Sequence, residues 1–452
     1  MRSVTVESGL EMIDPYLEVA AASNRVPGMV VSIWNYDGMA YNRAFGLADV
    51  EASTPMTTDH LFRGASIQKM ATAATCMLLD DSADLYLDEP VADFVPELHD
   101  HPDQAFSIVT IREVLSQSTG LIRNGPRPSW WWDERVPFPD DETLVDMFMG
   151  STYDSKHEQR GMGRYSNAAY GLLKLVVERA SGQSFEDLER EQIISPLGLE
   201  VSMHPDYSPE ITDRLATGYT SYIAGERYPA LASRKATNAL AASMGMCLTS
   251  EAACRLGAAF LDENTTVLSD EQKQLMLPTH QSARGALDKL QYGLGLQVFR
   301  SDPPLFGHTG GFNGFRGAVV VNPEELVVVS VLMNSTDASP DKLAVGIMDT
   351  LKLLGKVSPS PELLSLRGVY RGVMADIYQV TPTENGLYLT DPTTWNPQQG
   401  LQRYGHVGDG RFTSGSEHPD ELVHFCEDGS HTIMVGRGGL EFVPIQAFPD
   451  YM

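Results

Sequence analysis

Two stretches rich in β-branched and aromatic residues, 29–36 (MVVSIWNY) and 39–46 (MAYNRAFG), flank Asp37-Gly38 near the start of the chain. That pair tolerates the positive φ of a tight primed turn, so the pattern predicts a β-hairpin. A second pair of apolar runs fills 315–334 (FRGAVVVNPEELVVVSVLMN), parted by Asn322-Pro323-Glu324-Glu325, and predicts another hairpin far downstream. Between the two, the spacing of apolar positions turns helical over 66–79, 111–117, 168–181, 184–194 and 251–262. Ser184 with Asp187 resembles a capping box, and Gly182 suits the end of the preceding helix. Strands, a long helical insertion and strands again predict one sheet built from both ends of the first ~350 residues, with helices beside it. A cleft between the layers is the natural place for a site.

The texture changes after 355–362 (GKVSPSPE), where Gly, Ser and Pro cluster. Residues 366–452 carry short alternating runs, such as 368–380 and 431–436, punctuated by Asn385-Gly386, Asp409-Gly410, Asp428-Gly429 and Gly438-Gly439. This predicts a small antiparallel barrel or sandwich. The expected division is a main body over 1–354, a linker over 355–365 and a β-domain over 366–452.

Composition narrows the function classes. The 452 residues are 42% hydrophobic and 21% charged, an ordinary globular mix, and no run of about 18 apolar residues occurs to span a membrane. A formal charge of −27 repels phosphate backbones and anionic lipid surfaces, arguing against nucleic-acid and membrane partners. The N-terminal stretch MRSVTVESGLEMIDPYLEVA lacks the apolar core of a secretory signal, so a cytoplasmic protein is expected. Cys76, Cys247, Cys254 and Cys426 have no C-x-x-C spacing and read as reduced, buried thiols.

Three segments carry chemistry. Ser66-Ile67-Gln68-Lys69 follows Arg63-Gly64-Ala65 and leads into the helix-compatible run MATAATCMLL. Residues three apart share a helix face, so the Lys69 amine can lie beside the Ser66 hydroxyl, a nucleophile with a base attached. For Lys69 to accept a proton near pH 7 its pKa must fall by roughly three units, or roughly 4 kcal/mol, which demands burial or a neighbouring positive field. Ser339-Pro340-Asp341-Lys342 matches the same spacing; the first copy is favoured because it sits between a glycine and a long apolar helix. Tyr165-Ser166-Asn167 is the sole Tyr-x-Asn among seventeen tyrosines. Its phenol can relay a proton and its amide can hold a substrate carbonyl or the lysine, although the segment also reads as the polar start of a helix from Ala168. Gly307-His308-Thr309-Gly310-Gly311 stands immediately before a predicted strand. Glycine there lets the backbone approach a ligand, and a free N–H can complete an oxyanion hole. A glycine-rich turn explains the glycines equally well, but not the His-Thr pair.

At these three motifs, in this order, the chain resembles the serine β-lactamase and penicillin-binding-protein superfamily, in its class C β-lactamase, DD-peptidase and D-aminopeptidase branch. The resemblance covers roughly residues 10–350 and extends to TIREVLSQSTGL (110–121), YSNAAYGLLKLVVERASG (165–182), SPLGL (195–199) and YGLGL (292–296). It implies an α/β (α+β) fold: a β-lactamase-like antiparallel sheet flanked by helices with a large helical insertion, plus a small C-terminal antiparallel β-barrel of lipocalin-like form. It also implies Ser66 as nucleophile, Lys69 as base, Tyr165 as proton relay and Asn167 as substrate or lysine anchor. Thr309, Gly310 and Gly311 are then substrate contacts, and the backbone N–H groups of Ser66 and Gly311 form the oxyanion hole. His308 takes the catalytic place where penicillin-directed members usually carry lysine. A mostly neutral imidazole attracts a carboxylate less than an ammonium does and does less to depress Lys69. Members with histidine there resemble D-aminopeptidases, D-amino-acid amidases, carboxylesterases, acyltransferases and peptide-cyclising thioesterases.

Two further segments are weighed. His99-Asp100-His101-Pro102-Asp103 matches the start of a zinc motif, but no apolar strand precedes it and Gln104 stands where another His is expected, so it reads as an acidic surface loop. Trp130-Trp131-Trp132 can wall an apolar pocket or pin a Pro-rich loop, and the pinned loop is favoured. The expectation is a serine hydrolase without metal or cofactor, acting on short peptides or amides with a D-residue. An esterase, acyltransferase or thioesterase, and a binding protein without turnover, are the alternatives. The expected partner is a small-molecule or short-peptide substrate, with homo-oligomerisation left open.

Overall fold

The computed structural model describes residues 7–24, 26–121, 130, 133, 135–151, 163–203, 209–222, 225–230, 235–277, 291–354, 359–372, 376–415, 422–428, 431–436 and 440–444. By their contacts these group into two units, 27–341 and the combination of 1–26 with 342–452. The helices Glu7–Ser23 and Pro340–Leu354, which the sequence pattern attaches to the main body, therefore fall almost wholly in the unit that holds the C-terminal strands.

The first unit contains β1 (Gly28–Asn35), β2 (Gly38–Asp49), β3 (Thr54–Pro55), β4 (Phe62–Arg63), β5 (Val201–Met203), β6 (Met246–Leu248), β7 (Gln291–Tyr292), β8 (Gln297–Ser301), β9 (Pro304–Phe312), β10 (Phe315–Asn322) and β11 (Val327–Met333). An antiparallel sheet runs in the order β3-β2-β1-β11-β10-β9-β8-β7. Its centre joins the two expected hairpins, Met29 opposite Met333 and Trp34 opposite Val328, so both ends of the unit build one sheet. β10 and β11 are buried almost throughout, as the continuous Val-rich runs require of strands covered on both faces. A smaller sheet, β4-β6-β5, holds the segment leading into Ser66.

The helices fit the periodicity with local corrections. The 66–79 pattern becomes a 3₁₀ turn, Ala65–Ile67, followed by the helix Gln68–Asp81, which is buried on nearly every side. The 168–181 pattern begins one residue earlier, at Asn167, with the Ser166 side chain accepting from the Ala169 N–H and Gly182 closing the helix at φ 71°. Ser184 caps Phe185–Glu189 as expected, but Arg190–Ile194 widens into a π turn. Gly257, in the helix Ser250–Ala258, lies so close to the sheet that a β-carbon would come within 2.7 Å of Val328 and Val319.

In the second unit, β12–β19, from Gly368–Gly372 to Glu441–Pro444, close into an eight-stranded barrel. Tyr370, Val380, Leu389, Tyr404, Phe412 and Phe442 contribute to its core. Asp409 and Gly410 both take positive φ, as expected of a primed turn, whereas Gly386 has already entered a strand. The two helices of this unit are tied to it by Gln379 Nε2 donating to the Met12 carbonyl (2.6 Å) and Gln398 Nε2 donating to Thr350 Oγ1 (2.8 Å). Gly429, Gly438 and Gly439 lie outside the described residues.

Candidate active site

Ser66 sits in the 3₁₀ turn rather than in the α-helix, and the turn is strained: Ala65 before it holds φ 48°, a left-handed conformation unusual for a residue with a β-carbon. Lys69 follows three residues later, in the first turn of the helix Gln68–Asp81, on the same face as Ser66. Lys69 Nζ lies 3.1 Å from Ser66 Oγ, and the lysine is wholly buried while the serine keeps partial access to solvent.

Three further acceptors hold the amine: Asn167 Oδ1 at 2.8 Å, Ser243 Oγ at 2.9 Å and the Ser243 carbonyl at 3.0 Å. Ser243 Oγ itself donates to Asn167 Oδ1 at 3.1 Å. Asn167 thus accepts a hydrogen bond from the lysine, one of the two contacts that the sequence left open for it. Ser243 was not expected; it comes from the short helix Ala241–Met244, where no motif marks it. The faces of Tyr165 and Tyr170 complete the surround, their ring centres 4.9 and 5.1 Å from Nζ. Tyr165 is brought there by the segment preceding the helix Asn167–Ser181, where Gln117 Oε1 accepts the Ser166 N–H at 2.6 Å.

His308 is brought to the same cluster, its ring centre 6.3 Å from that of Tyr165, but it is entirely buried. Its Nδ1 lies 2.5 Å from the Thr309 carbonyl and its Nε2 2.7 Å from the Tyr292 hydroxyl. A carbonyl can only accept, so the proton belongs on Nδ1 and Nε2 accepts from Tyr292, which fixes one neutral tautomer. Burial, with the Lys69 charge adding to it, pushes the imidazole down to about 3. The histidine is therefore held as a buried, neutral imidazole. Tyr292, its partner, belongs to the YGLGL phrase. Gly295 of that phrase holds φ 72° and lies against the Lys69 carbonyl and Ala73, where a β-carbon would come within 2.7 Å of both.

The Gly-His-Thr-Gly-Gly segment is itself strand, inside β9, rather than a turn ahead of one. Gly310 supplies the close approach: a β-carbon on it would lie 2.2 Å from the Gly64 carbonyl, so β9 presses directly on the Ser66 turn. β8 pairs with β9 only as far as Gly307. The Thr309 N–H points to that side, donating to Gln297 Oε1 at 3.0 Å. Two residues on, the Gly311 N–H faces the same way, toward an edge that no described strand covers. Thr309 Oγ1 also donates to Gln297 Oε1, at 2.9 Å.

The remaining candidates separate from this cluster. Lys342, in the second Ser-x-x-Lys, is exposed. His101 is buried, not on a surface loop: its ring stacks on Phe106 at 3.9 Å and bonds to backbone carbonyls of Phe148 and Ser151, while exposed His99 faces Asp93. Among the described residues no group of three metal-binding side chains occurs. Trp130 is buried, and Lys235 Nζ ties its carbonyl to those of Asp133 and Val136; Trp131 and Trp132 lie outside the described residues. Cys76, Cys247 and Cys254 are buried free thiols, but Cys426 is exposed, on a barrel strand whose outer face meets solvent. No described helix is long and apolar enough to cross a membrane.

The β-lactamase family model matches residues 12–351. Penicillin-binding protein 4* of Bacillus subtilis is 31% identical over 194 residues, 42% of this chain and 41% of that protein. Esterase EstB of Burkholderia gladioli is 30% identical over 207 residues, 43% of this chain and 52% of the esterase. The matches thus span about half the length of these relatives. Among solved structures, the octameric penicillin-binding protein homologue of Pyrococcus abyssi superposes with a TM-score of 0.64 at 20% identity, covering 96% of this chain and 99% of that one. The D-amino acid amidase of Ochrobactrum anthropi SV3 does so at 0.62 and 20%, covering 75% and 98%. With a serine, a buried lysine, a tyrosine and a glycine-rich strand gathered at one place and the family model spanning most of its length, the chain belongs to the β-lactamase family, within the serine β-lactamase and penicillin-binding-protein superfamily.

Proposed function

We propose that the protein is a serine hydrolase that works through an acyl-enzyme on amide bonds, its substrates short peptides or amides containing a D-residue. The observation that carries this reading is the 3.1 Å approach of the wholly buried Lys69 amine to the partly accessible Ser66 hydroxyl. Ser66 Oγ attacks the carbonyl carbon and its proton passes to Lys69 Nζ. As the C–N bond breaks, that proton travels by way of Tyr165 to the leaving nitrogen. Water then adds to the acyl ester, its proton returns to Ser66, and the acid departs. The Ser66 and Gly311 N–H groups stabilise the negative oxygen in both steps. The fold shared with a D-amino acid amidase supports the preference for D-residues.

A panel of D- and L-amino-acid amides set against short-chain esters tests the substrate class. Turnover of esters with none of any D-amide removes the peptidase reading and favours the esterase or acyl-transfer alternative, which the 30% identity to an esterase supports. Intact-mass analysis during incubation with a β-lactam separates an enzyme, which returns to its unmodified mass as the acyl ester hydrolyses, from a binding protein, which stays acylated. Self-association is part of the same reading, by analogy with the octameric homologue, and is measured by light scattering.

A further inference from the structure

We infer that Gln117 is the positioning residue that holds Tyr165 for proton delivery to the leaving group, an inference resting on the acyl-enzyme reading above. Tyr165 stands in no helix or strand: residues 163–166 lie outside both until the helix Asn167–Ser181 begins. Ser166 there is extended, at φ −131° and ψ 113°. The N–H groups on either side of Tyr165 go to one residue. The Arg164 N–H donates to the Gln117 carbonyl at 2.8 Å, and the Ser166 N–H donates to Gln117 Oε1 at 2.6 Å. A paired strand would offer two backbone carbonyls to such a segment; Gln117 offers one from its backbone and one from its side chain. The residue between these two bonds carries the phenol ring whose centre lies 4.9 Å from Lys69 Nζ.

Gln117 belongs to the TIREVLSQSTGL phrase, to which no step of the mechanism assigns a role. Thr110 and Glu113 form a capping box at its start, and the helix Ile111–Leu115 follows. The helix is closed by the Gln117 N–H donating to the Val114 carbonyl at 3.1 Å and the Ser118 N–H donating to the Glu113 carbonyl at 2.9 Å, with Gln117 itself at φ 58°. Glycine is the usual occupant of such a left-handed closing position, because a β-carbon is disfavoured there. Gln117 nonetheless occupies it and is 3% exposed. The acceptor it supplies to Ser166 accounts for both the uncommon backbone and the buried amide at this one residue. The same turn braces the rest of the lysine's surround: the Leu115 carbonyl accepts from the Tyr170 O–H at 2.8 Å and from the Gly295 N–H at 3.0 Å.

Gln117→Met keeps the length of the side chain but removes the acceptor. Two substrates that deliver the same acetyl group read its effect: p-nitrophenyl acetate, whose phenolate departs unassisted, and ethyl acetate, whose ethoxide must gain a proton as it leaves. The substitution is expected to lower kcat/KM for ethyl acetate about 10- to 100-fold more than for p-nitrophenyl acetate. Gln117→Asn, which suits a left-handed backbone but is one methylene short, should do the same. Gln117→Glu, with an acceptor oxygen at the same reach, should restore part of the ratio. A merely structural role lowers both esters alike, so equal losses in Gln117→Met and Gln117→Asn, or none, overturn the proposal. Ser66→Ala should abolish both turnovers. Turnover that survives it, or a wild type that hydrolyses neither ester, removes the acyl-enzyme reading, and the hold on Tyr165 is then decided by amide hydrogen exchange. Faster exchange at residues 164–166 in Gln117→Met, with the helix Gln68–Asp81 unchanged, supports it. Exchange that is unchanged at 164–166, or accelerated equally in both segments, overturns it.

Discussion

Gly310 on β9 touches the carbonyl of Gly64 so closely that a β-carbon between them would sit 2.2 Å from the oxygen. The strand and the Ser66 turn are thereby fixed against each other. Gly310→Ala must push them apart, and a displacement of about 1 Å is expected to cost on the order of 100-fold in Ser66 acylation. Fluorophosphonate labelling rates, read with thermal melts that report whether the variant is folded, check this.

Lys69 is held by Asn167 and Ser243 as firmly as it approaches Ser66, so the amine has one position. Lys69→Ala should lower the acylation rate by about 10²- to 10⁴-fold, the usual range for a positioned base. Ser66→Ala should abolish labelling, and Ser339→Ala should leave it intact. Retention of labelling in Ser66→Ala would place the nucleophile elsewhere.

The imidazole of His308 should show no titration between pH 5 and 8, which proton NMR of its ring hydrogens reads directly. Because burial lowers its folded value to about 3 from an ordinary 6.5, the unfolded chain binds the extra proton between those limits. Its contribution to stability is full above pH 6.5 and falls away as pH drops toward 3.

Glu189 acts in the opposite sense. It is wholly buried against the helix Gln68–Asp81, with Gln68 Nε2 donating to its Oε1 at 2.7 Å, and burial pushes its carboxyl up to about 8. Here the folded chain binds the extra proton between pH 4.5 and 8, so the associated stability is full below 4.5 and is lost as pH rises through 8. Glu189→Gln keeps a hydrogen-bonding side chain without the charge. Denaturant melts at pH 5 and pH 9 should show the wild type losing more stability across that interval than the variant.

The hairpins, the central helix and the three motifs were legible because each rests on local pattern: alternation, apolar spacing, or a pair of residues a turn apart. Their gathering was not, since it depends on which distant segments meet. Ser243 and Tyr292 complete the surroundings of Lys69 and His308, yet neither stands in a pattern that distinguishes it from other serines and tyrosines. The burial of His308 and its single tautomer were not legible, because they follow from the contacts it makes with Tyr292 and the Thr309 carbonyl. The grouping of Glu7–Ser23 and Pro340–Leu354 with the barrel likewise rests on contacts that no local signal records.

The central seam of the sheet, where Met29 faces Met333, has a consequence for biosynthesis. Ser66 and Lys69 leave the ribosome early, while β9 and the strands that position it emerge near the end of the same unit. A nascent chain halted before β11 carries Ser66 and Lys69 but lacks the strand that joins β1 to β10 and so supports β9. Under the acyl-enzyme proposal, Ser66 is therefore expected to become reactive only once translation has delivered the last strand.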